Sequence, residues 1–129
     1  MTDIKLLALD LDGTLLNADK QISQRNREAI FAARAKGVKV VLTTGRPLKA
    51  MEYLLDELGT AGLVDEYTIT FNGGLVQRNS GQILDKIVFS HEDVMRIFRE
   101  TKRLNLPLDA ISDDLVSINL RTDITLQKI

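Results

Sequence analysis

Two apolar runs separated by one capped helix constrain this chain more than any other feature. Ile4 to Leu9 reads as a buried strand, and "VKVVLTT", Val38 to Thr44, as a second apolar, β-branched one. Between them, "SQRNREAIFAARAKG" places Ser23 as an N-cap and Gly37 just past a helix end. Ala29, Ile30, Ala32 and Ala33 supply its apolar stripe. Strand, helix and strand in this order predict a parallel pair joined by a crossover. The pattern then repeats. Pro47 fits the first turn of a helix running to about Leu58, where Gly59 ends it. Tyr67 to Phe71 reads as a third strand, followed by the turn Asn72-Gly73-Gly74.

Beyond that point the character changes. "LVQRNSGQILDKIVF" reads as a hairpin with Asn79-Ser80-Gly81 near its tip. "SHEDVMRIFRETKRLN" reads as a helix opened by Ser90 and Asp93 in capping-box spacing. Asp113-Asp114 marks a turn, and Leu115 to Leu120 alternates like a half-buried strand. The expected architecture is therefore α/β. A Rossmann-like parallel sheet occupies residues 1–80, and an α+β module begins over residues 81–129.

The first strand ends in an uncommon way, with Asp10 and Asp12 flanking Leu11. Alternate side chains of an extended chain share a face, so both carboxylates would point the same way. Like charges repel, and burying either is unfavourable unless it is paired or bound to a metal. An Asp12-Gly13 turn explains those two residues but leaves Asp10 unexplained. In an open α/β sheet, ligands bind beyond the carboxyl ends of the strands. The second strand ends there in Thr43-Thr44-Gly45-Arg46-Pro47. Hydroxyls, a backbone N–H at a helix start and two carboxylates describe a site for phosphate with a hard cation.

Competing motifs fail. An EF-hand loop starting at Asp10 needs Gly and Glu where Leu15 and Gln21 stand. Neither GxxxxGK[ST] nor GxGxxG occurs. The single histidine, His91, lies in a helix-capping segment and reads as surface structure, not as a ligand. The 129 residues carry a net charge of -1, which gives no field of the kind that attracts nucleic acid or anionic membrane. No cysteine is present, so disulfides and thiolate zinc sites are excluded. Asp10 and Asp12 interrupt the first apolar run, so it does not read as a signal peptide, and no apolar run reaches the ~20 residues of a membrane span. A cytoplasmic location is the default expectation.

At these residues the sequence resembles the haloacid dehalogenase-like (HAD) hydrolase superfamily. Its DxDGT motif stands as Asp10-Leu11-Asp12-Gly13-Thr14, and its hydrophobic strand ending in Thr or Ser as Val40 to Thr44. "TTGRP" and "TFNGGLV" narrow the likeness to the Cof-like subgroup, mostly magnesium-dependent sugar-phosphate phosphatases. The resemblance implies Asp10 as nucleophile, forming an aspartyl-phosphate, and Asp12 as acid and base. It implies Mg²⁺ held by the Asp10 carboxylate and the Asp12 carbonyl. Thr44 and Gly45 would hold the phosphoryl oxygens, with Thr43 the alternative hydroxyl if the register differs by one. Arg46 either contacts substrate or is a solvated residue at a helix start. Asn72 either lies near substrate or forms a plain Asn-Gly turn. The partner implied is a small phosphorylated metabolite.

The family also carries a later lysine and an acidic GDxxND-like segment, and neither is found in these 129 residues. The expectation is an N-terminal part of a longer hydrolase, ending inside an α+β cap and weakly active or inactive alone. An open sheet edge would then favour self-association. Two other functions compete: a non-catalytic phosphate-binding or interaction module, and phosphoryl transfer between sugar positions as in phosphomutases.

Overall fold

Strand pairing builds one sheet from the first half of the chain. The computed structural model describes residues 3–111 and the backbone of residues 117–119. β1 (Leu6–Asp10), β2 (Lys39–Thr43), β3 (Tyr67–Thr70), β4 (Leu75–Arg78) and β5 (Ile83–Lys86) stand side by side in chain order. β1 to β3 are parallel, and β4 and β5 continue the sheet antiparallel. The chain divides into two units between Lys86 and Ile87. The hairpin therefore lies wholly in the first unit, and the α+β module does not begin at residue 81 as the sequence pattern suggests. Four register pairs between β3 and β4, Tyr67 opposite Arg78 through Thr70 opposite Leu75, hold it there.

The helices follow their caps. α1 (Gln24–Ala35) starts at Ser23, whose Oγ accepts the Asn26 N–H. It ends at Gly37, which takes φ +81, a left-handed conformation that suits glycine. Arg34 donates to Glu66 and to the Leu58 carbonyl, tying α1 to the segments around β3. The helix expected from Pro47 is broken in two. A short 3₁₀ turn, Leu48–Ala50, leads through the fully buried Met51 at φ -131 into α2 (Glu52–Glu57).

The core lies around α1, α2 and the loop after β1, where Leu11, Leu16, Ile22, Leu42, Leu54 and Leu58 are buried together. β1 itself departs from the sequence reading. It was expected to be buried, yet Leu6 is 55% exposed and Leu7 is exposed as well. The reason is its position: β1 is an edge strand with only β2 beside it.

In the second unit, α3 (His91–Arg103) opens at Ser90, whose Oγ accepts the Asp93 N–H and donates to the Asp93 carboxylate. β6 (Asp109–Ile111), which sequence periodicity did not reveal, pairs antiparallel with β7 (Ser117–Asn119). β7 falls inside the expected Leu115–Leu120 strand, and the expected turn at Asp113-Asp114 lies outside the described residues. Among the described residues no helix is long and apolar enough to cross a membrane.

Candidate functional site

β1 stops pairing at Asp10, and the chain turns at once. Leu11 is fully buried while Asp10 and Asp12 are exposed, so in–out alternation persists for one step beyond the strand. Gly13, at φ +78, makes the turn. The N–H groups of Leu15 and Leu16 then return to the carbonyls of Asp10 and Leu11, at 3.1 and 2.9 Å. Leu15 and Leu16 bury their side chains, which fixes this polar loop to the core.

The parallel register brings the next strand end alongside. Asp10 is opposite Thr43, and Thr43 is opposite Ile69 of β3. Thr44 is buried, and its backbone is tied on both sides. Its N–H donates to the Ile69 carbonyl at 2.9 Å, and its carbonyl accepts the Asn72 N–H at 3.0 Å. Its Oγ1 accepts the Arg46 N–H at 3.1 Å. The Gly45 N–H donates to no group among the described residues.

Asn72 lies against Gly45. A Cβ at Gly45 would sit 2.9 Å from Asn72 Oδ1, so any larger residue there would push that side chain aside. Phe71, Asn72 and Gly73 follow one another at positive φ, of 52, 56 and 95°. Asparagine and glycine tolerate this region; a phenylalanine there is uncommon and strained.

Asp10, Thr43, Thr44, Ile69, Asn72 and Gly73 line an open depression of about 360 Å³. No side chain among the described residues hydrogen-bonds to the Asp10 carboxylate. Asp12 differs completely. Arg46 grips it with two bonds, Nη2 to Oδ1 at 2.6 Å and Nε to Oδ2 at 2.9 Å. Lys20 Nζ adds a third, to Oδ1 at 2.7 Å. Hydrogen bonds from Arg46 and then Lys20 push the Asp12 carboxyl down to about 2, and donating to Asp12 holds the Arg46 guanidinium above its usual value.

The sequence candidates thus fall into two groups. Asp10, Thr43, Thr44 and Asn72 share the depression, with Gly45 against Asn72, while Asp12 and Arg46 form an ion pair. His91 begins α3 in the second unit, exposed. Lys20 was missed. Its signal was the turn-forming run Asn17-Ala18-Asp19-Lys20, which brings a cation back towards the aspartates. No three His, Cys, Asp or Glu side chains among the described residues cluster as metal ligands. Asp10 and the Asp12 carbonyl, the pair the resemblance implies, would supply oxygen alone. Such a set suits a hard cation that completes its shell with water and phosphate oxygens.

Residues 7–127 match the family model described as haloacid dehalogenase-like hydrolase. A relative from Bacillus subtilis, 5-amino-6-(5-phospho-D-ribitylamino)uracil phosphatase YcsE, is 40% identical over 84 residues, covering 65% of this chain and 32% of its own length. Among solved structures, a haloacid dehalogenase-like hydrolase from Bacteroides thetaiotaomicron is 31% identical with a TM-score of 0.73, over 85% of this chain and 41% of that one. The HAD subclass IIB sugar phosphatase BT4131 is 32% identical with a TM-score of 0.70, over 84% and 41% respectively. The chain spans about two fifths or less of the length of the curated relatives it matches first.

Proposed function

The chain belongs to the haloacid dehalogenase-like hydrolase family, and we propose that it carries the nucleophile half of a phosphatase acting on small phosphomonoesters of the sugar-phosphate type. The observation that carries this reading is the state of Asp10. Its carboxylate has no partner among the described residues and faces an open depression with two threonines and an asparagine. The Gly45 N–H nearby has no acceptor among the described residues. An unpaired carboxylate beside uncommitted donors fits attack on a phosphoryl group, whose oxygens would take up those donors. The names of YcsE and BT4131 support the substrate class.

In the proposed cycle, an Asp10 oxygen forms a bond to phosphorus as the bond to the alcohol oxygen breaks. Asp12 gives the departing alcohol its proton. Water then attacks phosphorus, Asp12 takes a proton from it, and inorganic phosphate and free Asp10 result. A carboxyl held near 2 is ionised at neutral pH but binds a proton weakly. Taking up and giving a proton therefore requires Asp12 to loosen from Arg46, whose bond is the first cause of that depression. Thr44 Oγ1, Thr43 and the Gly45 N–H would orient the phosphoryl oxygens, and Asn72 the rest of the substrate. Mg²⁺, held by the Asp10 carboxylate and the Asp12 carbonyl, would offset the repulsion between two anions.

The test is hydrolysis of an aryl phosphate by the chain, with Mg²⁺ and with EDTA, beside Asp10→Asn. Magnesium-dependent turnover that falls about a thousandfold or more in Asp10→Asn is the expected result. Turnover equal to that of Asp10→Asn would remove hydrolysis by these residues alone. Binding of inorganic phosphate in that case would leave a binding module.

A further inference from the structure

Resting on the hydrolase reading, we propose that Lys20 is a positioning residue for Asp12, presented by a turn built to hold it there. The turn is specified in detail. The Lys20 N–H donates to the Asn17 carbonyl and the Asn17 N–H to the Gln21 carbonyl, both at 3.0 Å. Asn17 Oδ1 accepts the N–H groups of Asp19 and Gln21, at 3.0 and 2.9 Å. At the base, Leu16 bridges Ile22, and both side chains are buried. The turn is therefore anchored in the core at its base and stiffened by an asparagine at its neck.

Lys20 occupies the wrong kind of position for a lysine. Its φ is 60°, in the left-handed region where glycine and asparagine are the natural occupants. The turn alone gives no reason for a long cationic side chain there. The reason on the structure is the bond to Asp12 Oδ1, an atom that Arg46 Nη2 also grips. Arg46 spans both oxygens and so sets the plane of the carboxylate. Lys20 ties the same carboxylate to its own loop, so that it cannot swing with the arginine. An exposed ion pair between two flexible side chains contributes little. Here the backbone under the lysine is already ordered, and the acceptor is already held by a second cation.

This reading separates positioning from mere structure. If Lys20 served the turn, its replacement by asparagine would be the milder change for the fold and would leave Asp12 alone. If it positions Asp12, the same replacement keeps the fold and releases the carboxylate. The experiment compares the chain with Lys20→Asn and Lys20→Arg. It reads the thermal unfolding midpoint, the ¹³C resonance of the Asp12 carboxyl, and kcat and KM for the aryl phosphate.

Lys20→Asn is expected to unfold at an equal or higher temperature and to shift the Asp12 carboxyl resonance. Its kcat should fall about fivefold with KM unchanged, the upper range for an exposed pair. Lys20→Arg should restore resonance and kcat. An Asp12 resonance that stays in place without Lys20 overturns the proposal. So does an unchanged kcat with a shifted resonance, and so does a Lys20→Asn chain that fails to fold. Should the parent chain show no turnover beyond Asp10→Asn, hydrolysis by these residues alone fails by itself. The carboxyl resonance then still decides whether Lys20 holds Asp12.

Discussion

β1 and β2 are neighbours in one sheet, alike in apolar content and opposite in burial. Leu42 of β2 is 2% exposed, and Val40 and Val41 are buried with it, whereas Leu6 and Leu7 of β1 lie open. β2 has a strand on each side and α1 against it; β1 has β2 alone. Strand propensity and burial are therefore separate properties. Propensity belongs to the residue, and burial to its neighbours. The contrast reverses just past the strand ends. The loop after β1 sends Leu11, Leu15 and Leu16 into the core, while Asp10 and Asp12 stay outside.

The largest effect should come from testing that contrast directly. Leu42→Ala is expected to lower stability by about 2–5 kcal/mol, because it leaves a cavity among well-packed neighbours. Leu6→Ala should change it by no more than about 0.5 kcal/mol, as for other exposed positions. Urea unfolding of both variants measures the difference. Equal losses would mean that β1 is covered in solution, and the distinction between the two strands would collapse.

Much of this contrast was hidden in the sequence, for a physical reason. The apolar runs, the caps at Ser23 and Ser90, and the glycines at 13, 37 and 81 are local signals, and they placed the corresponding elements. Burial of β1 depends on which strands flank it, and no local pattern carries that. The hairpin was legible as a hairpin, but its membership of the first sheet depends on the long-range pairing of Tyr67 with Arg78. β6 is three residues long, too short for period-two alternation to stand out. At the site, Asp10, Thr43, Thr44 and Asn72 could be gathered because strand ends of a parallel sheet meet. The engagement of Arg46 and Lys20 with Asp12 could not, since it is fixed by the path of a loop and of side chains.

A smaller effect separates the two strand ends themselves. The end of β2 is organised by close fit, with Asn72 packed on the Gly45 backbone. Gly45→Ala should displace Asn72 and weaken binding of inorganic phosphate about tenfold, equivalent to about 1.4 kcal/mol. In an Asn72→Ala background the same substitution should have little effect, because the clashing atoms are gone. Isothermal titration of the four chains measures this coupling. Simple additivity would show that Gly45 matters for something other than the asparagine.

The end of β1 is organised by charge instead, and its signature is a dependence on pH. Asp12 is lowered from the ordinary 3.8 to about 2 by the bonds from Arg46 and Lys20. A carboxyl whose pKa is depressed by folding contributes stability above its unfolded value, and loses it as pH falls through the folded one. The gap in stability between the parent chain and Asp12→Asn should therefore be steady above about pH 4. It should close as pH falls from 4 towards 2, because both chains then carry a neutral side chain at that position. Its size is small, since Asp12 is exposed, and added salt should shrink it at neutral pH. Urea midpoints at several pH values follow it. A gap that persists unchanged to pH 2 would place the role of Asp12 in hydrogen bonding that an uncharged side chain also provides. In that event the two strand ends would differ in geometry and not in charge.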